Sequence, residues 1–70
     1  MPEDELFERW QSLDSEERNG IFPSLFGRMR YMRQYGDEWD KEAAERFYME
    51  VEDLIERVEK EIQFRRETKQ

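Results

Sequence analysis

Three observations predict an all-α fold, a small bundle of about three helices ending in a long C-terminal one. The first is an apolar row in the second half of the chain: Ala44, Phe47, Tyr48, Val51, Leu54, Ile55, Val58 and Ile62. At about 100° per residue these fall within one arc of a helix, and neither Gly nor Pro interrupts the stretch from Asp37 to Gln70. The second is the same periodicity over shorter runs in two earlier segments. The third is the lack of any sustained apolar–polar alternation of the kind a half-buried strand requires.

The first helix is expected from Pro2 or Glu3 to about Leu13. Pro2 suits a first helical turn, and Glu3, Asp4 and Glu5 complement the positive end of the helix dipole. Leu6, Phe7, Trp10 and Leu13 share its apolar face. Asp14 and Glu17 have the spacing of a capping pair for a short extra turn, which Asn19-Gly20 would end.

Ile21-Phe22-Pro23 leads into a middle helix that Gly36 stops, with Phe22, Leu25, Phe26, Met29 and Met32 on its buried side. Gly27 weakens it by about 1 kcal/mol relative to Ala. Asp37 or Asp40 caps the last helix, which is expected to continue to about Arg66, with residues 67–70 frayed.

Lengths constrain how these pieces pack. At 1.5 Å per residue the last helix spans roughly 43 Å and the middle one about 20 Å, against a radius of gyration near ~11 Å for a compact chain of this size. The short Gly36-Asp37 connection folds the middle helix antiparallel onto the Ala44–Leu54 portion. Val58 and Ile62 then need cover, from the first helix or from a second copy. Self-association as a homodimer through these two residues is the expectation.

Seventy residues form one domain, spanning 1–70, with a core that is marginal without a staple or a partner. There is no cysteine for a disulfide or a thiolate zinc site, and no histidine to serve as general base or metal ligand. Net charge is −7, with 44% of residues charged, but two Trp, three Tyr and five Phe argue against a disordered tail. No apolar run approaches the ~20 residues of a membrane span, and the acidic start does not resemble a signal peptide. A cytoplasmic protein with no membrane partner is therefore expected.

Charge is distributed in blocks. Residues 1–17 carry seven acids and one base; residues 18–36 carry four arginines and no acid; residues 37–61 carry eleven acids and four bases. Alternating sign in so short a chain implies that its segments attract one another. The acidic excess disfavours direct contact with nucleic-acid phosphates and favours partners with basic surfaces.

Residues that could carry chemistry are few. Glu42/Glu45 and Glu50/Asp53 have the spacing of magnesium ligands in some all-α nucleotide hydrolases, but on one helix such carboxylates point outward and do not converge. The serines and lysines have no histidine or cysteine to work with. Neither a GxGxxG sequence nor a phosphate loop is present. No enzyme, cofactor or metal site is expected, and a magnesium-dependent hydrolase is the weakest of the alternatives.

Arg28, Arg30 and Arg33, interleaved with Tyr31 and Tyr35, superficially resemble a nucleic-acid patch. Helical phase instead puts Arg28 and Arg33 beside the buried stripe, where they are expected to meet acids such as Glu50 or Glu59 on the last helix. On that helix Trp39, Met49 and Phe64 point away from the stripe. Met49 stands out because Glu45, Glu52, Asp53 and Glu56 share its side, an arrangement suited to docking on a basic surface with a hydrophobic centre.

The functional expectation is a non-catalytic acidic binding module, a regulator or inhibitor of a larger protein, and in its sharper form a nucleic-acid mimic. The alternative is a homodimeric structural or assembly protein.

Overall fold

The computed structural model describes residues 2–18 and 20–68, and contains α1 (Pro2–Gln11), α2 (Ser24–Tyr35) and α3 (Glu38–Thr68), with no strand among the described residues. Cross-helix ion pairs give the topology. Asp4 pairs with Arg30 and Glu3 with Arg33, so α1 and α2 run antiparallel. Arg33 also lies 3.8 Å from Glu45, near the start of α3, which sets α2 antiparallel to α3. Arg9, at the far end of α1, reaches Glu59; α1 and α3 therefore run in the same direction.

Each helix end has an identifiable cause. α1 stops at Gln11, two residues short of the expected Leu13, because Arg18 folds back over its last turn. The Arg18 guanidinium donates to the carbonyls of Leu13 and Gln11, both at 3.2 Å, and lies 4.4 Å above the Trp10 ring. A cation at that end also complements the helix dipole. Leu13 stays buried although it has left the helix.

The Asp14 N–H donates to Glu17 Oε1 at 3.0 Å, closing the short turn at that position. Asn19, expected to help end that turn, lies outside the described residues. The Trp10 indole N–H donates to the Ile21 carbonyl at 2.9 Å, tying the far end of the connection back to α1.

The α2–α3 corner is tight. Gly36 stops α2 as expected, and it does so in an extended conformation, with φ −80°. Glycine is required there because a Cβ would collide with the Asp40 Cβ and the Met32 carbonyl. Asp37 and Asp40 then cap α3 reciprocally. The Asp40 N–H donates to Asp37 Oδ1 at 2.9 Å and the Asp37 N–H to Asp40 Oδ2 at 3.3 Å. At its other end α3 continues through Thr68, past the expected Arg66, and Lys69 and Gln70 lie outside the described residues.

The core joins Leu6, Trp10, Leu13, Ile21, Phe26, Met29, Val51 and Ile55, with Ala44 also buried. Phe7, Trp10 and Phe26 form its aromatic centre at centroid spacings of 5.3–5.7 Å. Three residues expected inside are exposed: Phe22 at 68%, Phe47 at 39% and Leu54 at 42%. Phe22 precedes the first turn of α2 and is not held by its packing. Phe47 and Leu54 lie on one flank of the α3 stripe, an edge that is only partly covered.

The long helix dominates the dimensions. The chain measures 50 × 19 × 17 Å with a radius of gyration of 13.8 Å, larger than a compact chain of this length has. Among the described residues no helix is long and apolar enough to cross a membrane.

Candidate functional site

Ala44, Val51 and Ile55 turn one side of α3 into the core, and helical geometry presents Glu45, Met49, Glu52, Asp53 and Glu56 on the opposite side. Met49 is 64% exposed. The carboxylates around it differ in their surroundings. Glu45 is exposed but has Arg33 at 3.8 Å, and Glu56 has Lys60 at 3.2 Å. Glu52 is half-buried beside Tyr48 and, with burial as the larger cause, holds the Tyr48 phenol above its ordinary range. Asp53 is exposed.

The expected ring of acids is broken toward the start of α3. There Met49 shares a shallow, open depression with Arg33, Lys41, Glu42, Glu45 and Arg46. Two of these cations were visible as helical neighbours; Arg33 arrives from α2 and was not. The acidic part of the face is therefore the Glu52–Glu56 side of Met49.

Val58 and Ile62 are half-buried and pack against the core cluster. They also line a groove with Glu16, Glu17, Glu61 and Arg65, so the chain leading out of α1 lies alongside them. The bond that sets this arrangement is Arg9 to Glu59. Arg9 Nη2 donates to Glu59 Oε1 at 2.6 Å and Nε to Oε2 at 3.4 Å, a two-pronged contact that pins the end of α1 beside the distal half of α3. Glu59 holds the guanidinium above its already high ordinary range, against the opposing effect of burial.

Arg33 acts within the chain, as its helical phase implied, but on different partners; Arg28, expected to meet acids of α3 in the same way, has no ion pair among the described residues. Arg33 meets Glu3 and Glu45 where Glu50 or Glu59 was expected; Arg30 takes Asp4, and Arg28 is exposed. Sequence reasoning missed Glu3, which is 1% exposed. The signal was its phase: Glu3 stands three residues before Leu6 and seven before Trp10, on the apolar face of α1. Arg33 Nε lies 2.7 Å from Glu3 Oε1, while neither carboxylate oxygen of Glu3 has a well-aligned hydrogen-bond donor among the described residues.

Chemically, the outward side of α3 offers one flexible apolar side chain with carboxylates toward Glu52 and Glu56 and cations mixed with carboxylates toward the start of the helix. No group of three or more acidic residues among the described residues is placed to hold a metal ion. Compared with known proteins, the chain matches no family model, no curated protein and no solved structure.

Proposed function

We propose that this chain is a non-catalytic, cytoplasmic binding module that docks the outward side of α3 on a basic surface of a larger protein and regulates or inhibits it. Met49 is the apolar centre of the contact; Glu45, Glu52, Asp53 and Glu56 supply the charge. The observation that carries this reading is the exposure of Met49 among carboxylates, on a helix whose opposite side is anchored in the core. Rigid placement lowers the entropy cost of docking, and a polarisable thioether adapts to an uneven apolar pocket. In the sharper form, the spaced carboxylates stand in for phosphates and occlude a nucleic-acid-binding surface.

The test is capture from the source cell with the wild-type chain, with Asp53→Lys/Glu56→Lys and with Met49→Asp, all checked for unchanged helicity. A protein held by the wild type alone, released by salt, is the expected result. Displacement of that protein by DNA or RNA would mark the mimic. Equal retention by the charge-reversed variant would overturn the reading.

A further inference from the structure

We propose that α3 pairs antiparallel with α3 of a second copy of this chain, along the flank that carries Phe47 and Leu54. Both residues continue the apolar row of α3, yet stand 39% and 42% exposed, on an edge that the chain covers only in part. The homodimer seam expected at Val58 and Ile62 therefore moves around the helix, to that edge.

The charges beside this seam indicate what covers it. With Val51 at zero, helical geometry puts Phe47 and Leu54 at about −40° and −60°, and Glu61, Glu50, Arg57 and Arg46 between about −80° and −140°. Along the chain these four read plus, minus, plus, minus: Arg46, Glu50, Arg57, Glu61. Arg46, Glu50 and Arg57 are exposed and have no ion pair among the described residues; Glu61 has only a solvent-exposed contact with Arg65 at 3.7 Å.

A two-fold axis perpendicular to a helix reverses its direction and sets each flank against the same flank of the copy. Placed between residues 53 and 54, the axis opposes Arg46 to Glu61 and Glu50 to Arg57, twice each, and brings the two Leu54 side chains together.

Two features single out this register. Residue 53 is also the midpoint of α3 (Glu38–Thr68), so pairing the charges overlaps the helices along their whole length. Sliding one copy by a turn in either direction opposes Arg46 to Arg57 or Glu50 to Glu61, which is repulsive. Such self-complementarity is a property of a surface that meets itself. Met49 lies about 140–160° around the helix from Leu54 and Phe47, so pairing leaves Met49 outward, with Arg46 between the two surfaces. The pairing stands without the docking reading above.

The test is sedimentation equilibrium from low to several hundred micromolar, with helicity measured alongside. The wild type is expected to reach a dimer mass, and Leu54→Glu, whose side chain lies outside the core, to remain a folded monomer. Glu50→Arg should weaken association by about tenfold or more, and adding Arg57→Glu should return it to within a few-fold of wild type. Because the chain has no cysteine, Leu54→Cys should oxidise to a covalent dimer while Phe47→Cys should not. A monomeric wild type, a dimer indifferent to Leu54→Glu, a charge swap no better than the single reversal, or equal cross-linking at both positions would overturn the pairing.

Discussion

The guanidinium of Arg33 bridges all three helices, with its Nε 2.7 Å from the buried Glu3 Oε1 of α1 and its Nη2 3.8 Å from Glu45 of α3. Its Cζ also lies 5.7 Å from the Tyr48 ring centroid. One side chain thus neutralises the buried carboxylate and links α2 to both neighbours. Arg33 and Arg30 of the arginine-rich middle segment are engaged within the chain, while Arg28 is exposed.

Arg33→Ala would leave Glu3 buried without its cation. The expected loss is about 3 kcal/mol, since removing one partner of a buried pair strands the other. Glu3→Leu with Arg33→Met should restore stability to within about 1 kcal/mol of wild type, because desolvation offsets most of the attraction in such a pair. Urea unfolding measures both. An Arg33→Ala variant as stable as wild type would contradict the bridging role.

Two glycines should respond in opposite directions. A methyl group at Gly36 meets the Asp40 Cβ and the Met32 carbonyl, so Gly36→Ala should cost about 2 kcal/mol or more and disturb the Asp37–Asp40 cap. Gly27 lies inside α2 with open space where a Cβ would sit, and Gly27→Ala should stabilise by roughly 0.5–1 kcal/mol. Thermal melts of the two variants check the contrast.

Tyr48 should make the fold sensitive to alkali. Burial first, and then Glu52, hold its phenol above the ordinary value of 10.0. The folded chain therefore keeps this proton where the unfolded chain has lost it. Stability is fully present below about pH 10 and falls as pH rises through the folded value. Tyr48→Phe should flatten that decline and remove a late component from the ultraviolet absorbance titration. An alkaline stability profile unchanged by the substitution would contradict the assignment.

Local signals were legible where a residue's role depends on its neighbours in sequence. The Asp37–Asp40 cap, the stop at Gly36 and the phase of Val51 and Ile55 all follow from spacing. What depends on a distant segment was not. Phe47 and Leu54 belong to the same apolar row as Val51, and only the width of the cover supplied by α1 and α2 separates exposed from buried. Glu3 has the phase of a core residue, but its partner is thirty positions away. Val58 and Ile62 are half-buried against a core that includes Leu13 and Ile21 of the connection, a contact that helix length alone does not reveal. In the candidate site, the outward direction of Met49 followed from phase, whereas Arg33 entering the same depression required the antiparallel packing of α2.

The docking claim is tested most directly by a photoreactive cross-linking residue at position 49, with the same group at Phe22, which is exposed and lies outside the candidate face. On irradiation in extract of the source cell, a discrete adduct is predicted from position 49, lost when Asp53 and Glu56 are reversed to lysine and absent from position 22. No adduct from position 49, or the same adduct from both positions, would contradict the account.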